Sequence, residues 1–297
     1  MERGTQRAIK KSRLRIATES VITSMDNRPI GIFDSGLGGL TGMKALRELL
    51  PEENIVYFAD SGRLPYGEKS REQLRGMAVQ NLRFLTGFGV KAILVACGTM
   101  SSNAADILAE WPVQTVGVLS SSADWMSRLE GSGPVAVIAT GASIRSGGYG
   151  RALREACRGR RILEVPCPDF VPLIESGHIA ADDPFLQEAV RKYLQPVREA
   201  KAEALLLGCT HYGIIAEAIR EYLGPEIALV SAAESGAAAL CSLLLKQKRT
   251  GGEGAVRYFT SGSPEAFNRA ASLFLGADAG IVQAEAVDPW EIPGGEK

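Results

Sequence analysis

Cys97 and Cys209 carry the most chemistry in this sequence, because each sits in the same local setting. AILVACGT spans 92–99 and ALLLGCTH spans 204–211, so each cysteine ends a β-rich apolar run and has a threonine within two positions. A thiolate can serve as nucleophile, metal ligand or base. Metal binding is disfavoured, since only His211 lies near either cysteine in sequence and no third ligand stands out. Disulfide chemistry prefers a close pair. A covalent nucleophile would use Cys209 with His211 and leave Cys97 idle. Acid–base work on opposite faces of one small substrate uses both: one thiolate removes a proton, the opposing thiol supplies one, and a stereocentre inverts. The competing reading makes both cysteines buried small hydrophobes, which suits one such residue better than two at matched strand ends.

Other candidates cluster around this pair. Asp34 and Ser35 end the first apolar run and lead into Gly36, Gly38 and Gly39. The dinucleotide fingerprint G-x-G-x-x-G is not met, because Thr41 holds its last position, and no GK[ST] follows. A carboxylate at that mouth would repel phosphate, so Asp34 and Ser35 suit an ammonium group or a thiol's proton partner. Pro65 and Gly67 fix the loop SGRLPYG (61–67), where Tyr66 offers a hydroxyl and an aromatic face. Thr140, Ser143 and Ser146 are hydroxyl donors at a helix start, with capping as the alternative. Glu175 is an isolated acid in CPDFVPLIESG, in a loop or short helix. His211, two residues past Cys209, is a candidate proton partner. Cys157 and Cys241 fall within helical periods and read as core.

Those residues need strand ends to hold them, and the chain supplies strands in two similar runs. Ile30–Phe33, Asn54–Ala59, Ala92–Ala96 and Val116–Leu119 read as strands, separated by helical periods over 40–50, 70–87 and 101–110. After the turn-like segment 130–134, Val135–Ala139, Arg161–Val165 and Ala204–Gly208 repeat the pattern, with helices over 144–157, 183–199 and 213–222. The order repeats at an offset of a little over a hundred residues. Repeated βα units imply parallel sheets, and ligands in such sheets bind beyond the strands' carboxyl ends. The expected fold is therefore α/β: two pseudo-symmetric open parallel-sheet lobes with the active site in the cleft between them.

Composition excludes several classes. An apolar fraction of 45% and a charged fraction of 23% are ordinary globular values. Lys plus Arg is 33 against 34 acids, so no global positive field would gather nucleic acid. No apolar run approaches a membrane span, and five cysteines without a CxxC pair read as free thiols. These features predict a soluble cytoplasmic protein that binds neither nucleic acid nor membrane and holds no metal. Residues 1–24 set six basic against two acidic side chains, a net +4, and lack an apolar signal-peptide run. Residues 1–28 are accordingly expected to form a flexible basic extension, with residues 1–24 dispensable for folding and turnover and Met25 a plausible translation start.

Seven ordered motifs together resemble glutamate racemase of the aspartate/glutamate racemase superfamily. They are GIFDSGLGGLT (31–41), YFADSGRLPYG (57–67), VACGT (95–99), IATGASIRSGGY (138–149), CPDFVPLIESG (167–177), GCTHY (208–212) and YFTSG (258–262). The resemblance covers about Pro29 to Gly276. It implies a cofactor-independent racemase that supplies D-glutamate for peptidoglycan, with Cys97 and Cys209 as the acid/bases. Asp34 would assist on one side, Glu175 and His211 on the other. Substrate contacts would fall on Asp34, Ser35, Pro65, Tyr66, Gly67, Gly98, Thr99, Thr140, Thr210 and His211. The C-terminal segment would return to the first lobe, giving 29–120 plus 233–285 as one lobe, 121–232 as the other and 286–297 as a tail. A homodimer is the expected assembly. Three positions depart from the family pattern: Gly98 replaces an Asn, Gly213 a Pro and Ser231 an Asp. An Asn at 98 is expected to fit, and its absence to be covered by a water or by hydroxyls such as those of Ser101 and Ser102. A racemase for aspartate or another amino acid, or a non-catalytic binding protein on the same fold, are the alternative readings.

Overall fold

The computed structural model describes residues 26–275 and 282–288. Ten strands are found among them: β1 (Ile30–Asp34), β2 (Ile55–Ala59), β3 (Ala92–Val95), β4 (Thr115–Gly117), β5 (Val135–Ala139), β6 (Ile162–Pro166), β7 (Ala204–Leu207), β8 (Ala228–Ser231), β9 (Val256–Thr260) and β10 (Ala284–Ala286). They form two parallel sheets, β10-β9-β2-β1-β3-β4 and β6-β5-β7-β8. The chain is thus α/β with two parallel-sheet regions. Of the extension expected over 1–28, residues 1–25 lie outside the described residues, as do the tail residues 289–297. Residues 26–28 are not a free arm, because Asp26 accepts from Lys91 Nζ at 2.6 Å and from Arg249 Nε at 3.3 Å.

The two sheets share an order. In each, the first strand (β1 or β5) lies between the second (β2 or β6) and the third (β3 or β7), with the fourth outside the third. Strands β1, β2, β3, β5 and β7 are buried along their whole length, which is why they read as unbroken apolar runs rather than alternating ones. Because the chain leaves the first strand toward one side and later returns on the other, a crevice opens beyond β1 and β3, and another beyond β5 and β7. Cys97 lies two residues past the end of β3, and Cys209 two residues past the end of β7.

Local chemistry sets the helix ends. Ser70 and Gln73 form a reciprocal capping box before the helix Arg71–Thr86. Asp183 caps the helix Pro184–Glu199, which has Pro184 at its first position. The helix Ala232–Lys246 packs against both Leu40–Leu49 and Val118–Ser127. No helix among the described residues is long and apolar enough to cross a membrane.

The run read as a strand over 116–119 is a strand only to Gly117, and a helix starts at Val118. Three helices also differ from the sequence reading. The helix expected over 101–110 begins earlier, at Gly98, and breaks at Ala104 into Gly98–Asn103 and Ala105–Glu110. The one expected over 144–157 is two, Gly141–Arg145 and Gly148–Ala156, because Gly147 adopts φ +64, a left-handed conformation that stops a helix. The one expected over 213–222 starts at Ala216, after a short 3₁₀ turn over Thr210–Gly213. The first two shifts place a helical N-terminus just past the ends of β3 and β5.

Candidate active site

Asp34, Ser35, Pro65, Tyr66, Gly67, Cys97, Gly98, Thr99, Thr140, Glu175, Cys209, Thr210 and His211 all line one cavity of about 770 Å³. It is bounded by the ends of β1 and β3 on one side and of β5 and β7 on the other. Residues 175 positions apart in sequence therefore share a wall.

The two thiols sit in unlike surroundings. Cys97 caps the helix Gly98–Asn103, its Sγ accepting from the Met100 N–H at 3.4 Å. Burial first, then the Asp34 charge, push the Cys97 thiol far above its ordinary range, only partly offset by the Met100 N–H and Ser35. Asp34 is itself buried; Oδ2 accepts from Gly36 N at 3.2 Å, while Oδ1 has no hydrogen-bond partner. A buried, unpartnered carboxylate oxygen on a cavity wall is a site for a cation or a donor.

Cys209 faces an imidazole instead. Its Sγ lies 3.7 Å from His211 Nδ1, and His211 Nε2 lies 3.1 Å from Glu175 Oε1. Burial works against a charged imidazole. The hydrogen bonds to Cys209 and Glu175, with the Cys209 and Asp34 charges, outweigh it and push His211 up to about 10. Phe274 meets the His211 ring edge-on at 5.6 Å.

Between the thiols lies a cluster of hydroxyls. Thr99 Oγ1 and Thr140 Oγ1 are 2.9 Å apart across the two halves, and Thr140 is 2.9 Å from Ser143 Oγ. Thr140 also caps the helix Gly141–Arg145 by accepting from Ser143 N at 3.3 Å, so capping and cavity lining are served by one side chain. Thr41 Oγ1 donates to the Thr210 carbonyl at 3.2 Å, a second link between the halves.

The glycines of the first loop serve close approach rather than anion binding. A Cβ on Gly38 would lie 2.4 Å from both His211 Nδ1 and Thr210 Oγ1. Gly98 is equally tight: a Cβ would lie 2.2 Å from the Gly208 carbonyl oxygen and 3.0 Å from the Tyr149 hydroxyl, which donates to that same carbonyl. The expectation that an asparagine fits at 98 therefore fails on this backbone. Nor do Ser101 and Ser102 face the cavity; Ser101 donates to the Val95 carbonyl at the end of β3, and Ser102 to the Thr99 carbonyl one helical turn back.

Behind the Pro65–Gly67 loop lies a network the sequence reading missed. Buried Asp60 accepts from the Tyr66 hydroxyl, from Ser261 Oγ at 2.7 Å and from Arg63 Nε at 2.8 Å. Tyr66 is pinned at the cavity wall by this carboxylate, and Ser261 brings the segment after β9 into contact with it. Arg145, Glu68 and Cys167 line the cavity without having been singled out from sequence. Asp60, Arg145 and Cys167 lie inside the motifs YFADSGRLPYG, IATGASIRSGGY and CPDFVPLIESG, although none was given a role from them, and Glu68 lies just past the first of these. Cys157 and Cys241 are buried away from this cavity. Among the described residues no group of three or more His, Cys, Asp or Glu side chains is placed to hold a metal ion.

Comparison with known proteins gives this arrangement a family. The model of the Asp/Glu/hydantoin racemases matches residues 42–240. A glutamate racemase of Desulforudis audaxviator is 36% identical over 259 residues, covering 84% of this chain and 94% of the relative. One of Geobacter metallireducens is 37% identical, covering 86% and 95%. Among solved structures, the glutamate racemase of Francisella tularensis in complex with D-glutamate superposes with a TM-score of 0.81 at 34% identity, covering 89% of this chain and 99% of that one. That of Thermus thermophilus in complex with β-chloro-D-alanine gives 0.79 at 37%, covering 89% and 98%. The chain is an enzyme of the Asp/Glu/hydantoin racemase family and belongs within it to the glutamate racemases.

Proposed function

We propose that the chain interconverts L- and D-glutamate, with Cys97 and Cys209 acting from opposite faces of the α-carbon. The observation that carries this reading is the opening of two thiols, from equivalent strand ends, into one cavity with opposite electrostatic settings. Burial and Asp34 favour the protonated thiol at Cys97, whereas Cys209 has an imidazole within 3.7 Å of its sulfur as a proton partner. A thiolate takes the α-proton, leaving the electron pair on carbon; the opposing thiol then donates its proton to the other face and becomes the thiolate. Proton and charge have changed sides, and the same route run backwards serves the other enantiomer.

Asp34 Oδ1 would take the substrate ammonium, whose charge would offset the carboxylate that helps to hold Cys97 protonated. Thr99, Thr140 and Thr210 would donate to carboxylate oxygens, with Ser35 and the Pro65–Gly67 loop closing the pocket. His211 and Glu175 would act as proton partners of Cys209. The biological role that follows is supply of D-glutamate for peptidoglycan in the cytoplasm. The division into 29–120 plus 233–285 and 121–232, with 286–297 as a tail, belongs to the proposal, supported by the pairing of β9 with β2 and checked by limited proteolysis. So does a homodimer, carried over from the family resemblance and measured by sedimentation.

A coupled assay for D-glutamate formed from L-glutamate, without added pyridoxal phosphate or metal, tests the activity. Turnover in D₂O should place deuterium on the product α-carbon. Faster turnover of aspartate or a neutral amino acid than of glutamate would overturn the substrate assignment.

A further inference from the structure

Arg145 ends the helix Gly141–Arg145 in the second half, and its guanidinium crosses the cavity mouth to the first half. There Nη2 donates to the Gly67 carbonyl at 3.0 Å, tying the Pro65–Gly67 loop to the opposite wall. Three carboxylates line the same cavity, Asp34, Glu68 and Glu175, against two side chains able to carry positive charge, Arg145 and His211. His211 is engaged on both ring nitrogens by Cys209 and Glu175. Arg145 forms no ion pair among the described residues, and an arginine stays charged at any working pH. A ligand bearing two carboxylates would enter a cavity whose fixed acids repel it, and Arg145 is the one cation there not already engaged by a carboxylate or a thiol.

We propose that Arg145 is a positioning and specificity-determining residue for dicarboxylic amino acids. It acts as a clasp on the substrate loop through the Gly67 carbonyl. It also places positive charge at the exposed rim of the cavity, where it would offset the repulsion of a second substrate carboxylate by Asp34, Glu68 and Glu175. The inference rests on the racemase reading above. Its two parts separate by substitution: Arg145→Lys keeps the charge and loses the fork of donors, Arg145→Gln keeps a donor and loses the charge, and Arg145→Ala loses both.

Steady-state kinetics on all four proteins, at several ionic strengths, tests the proposal. Because the side chain is exposed, the effect is that of a rim charge. KM for glutamate should rise about fivefold in Arg145→Ala and about threefold in Arg145→Gln, with kcat within about twofold of wild type. The dependence of kcat/KM on salt should flatten in both, and Arg145→Lys should retain it. Wild-type KM and salt dependence in Arg145→Gln and Arg145→Ala would overturn the inference, as would a loss confined to kcat. Failure of wild type to racemise glutamate would instead remove the functional reading beneath it.

Discussion

Cys97 and Cys209 differ in what stabilises charge next to them, and that difference is testable one residue at a time. A serine hydroxyl is a far weaker acid than a thiol, so Cys97→Ser or Cys209→Ser should each lower kcat by at least about 10³-fold in the coupled assay. Full activity in either would sink the two-thiol mechanism. His211 makes a second prediction, about pH. Its folded value is raised to about 10 from an ordinary 6.5, so the folded protein binds the proton more tightly than the unfolded chain. The stability this contributes is fully present below pH 6.5 and is lost as pH rises through about 10. Urea denaturation at pH 6, 8 and 10 should show the advantage of wild type over His211→Gln shrinking at each step. An advantage that grows with pH would show the imidazole to be neutral in the fold.

At the scale of elements, the site depends on how closely the first loop and the β7 turn approach each other. Gly38 packs onto His211 and Thr210 with no room for a methyl group. Gly38→Ala should cost about 1–3 kcal/mol of stability through overpacking, and should lower kcat at least about tenfold by displacing His211 from Cys209. Gly98→Asn meets the carbonyl of Gly208, a backbone atom that cannot swing aside. It should weaken activity rather than restore a family contact, with a fall in kcat/KM that assays on both enantiomers would measure. Improved kcat/KM in that variant would mean that the turn between β7 and Cys209 yields.

Across the whole molecule, the ends of the strands opposite the cavity are closed by a buried ion pair. Lys91 Nζ lies 2.5 Å from Glu53 Oε2, both side chains are almost wholly buried, and Lys91 also donates to the Asp26 carbonyl at 2.6 Å. Glu53 Oε1 accepts from Gly251 N at 3.0 Å, so the pair joins β2, β3 and the segment leading into β9. Lys91→Met leaves the Glu53 carboxylate buried without its partner, at a cost of about 3–5 kcal/mol. Thermal unfolding should register that loss, while kcat measured well below the new midpoint should stay close to wild type. A matched loss of kcat at low temperature would mean that this end of the sheet is coupled to the cavity.

Periodicity and composition by themselves determined the alternation of strands and helices as far as about residue 222, because fully buried parallel strands are continuous apolar runs that stand out from amphipathic helices. The partly exposed β8, β9 and β10 and the helices Ala232–Lys246 and Pro264–Leu275 went unmarked. The echo of AILVACGT in ALLLGCTH likewise marked Cys97 and Cys209, since the end of a strand is a local property. What the sequence left open is what depends on two distant segments meeting. Ala104 and Gly147 break helices that continuous periodicity ran through. Room at Gly98 is decided by the carbonyl of Gly208, more than a hundred residues away. Arg145 matters only because Gly67 comes within 3.0 Å of it. The asymmetry of the two thiols arises in the same way: burial and a nearby carboxylate fix the proton on one, and an imidazole braced by Glu175 charges the surroundings of the other. Electrostatics in a dry cavity is a sum over neighbours in space, and only the tertiary fold chooses those neighbours.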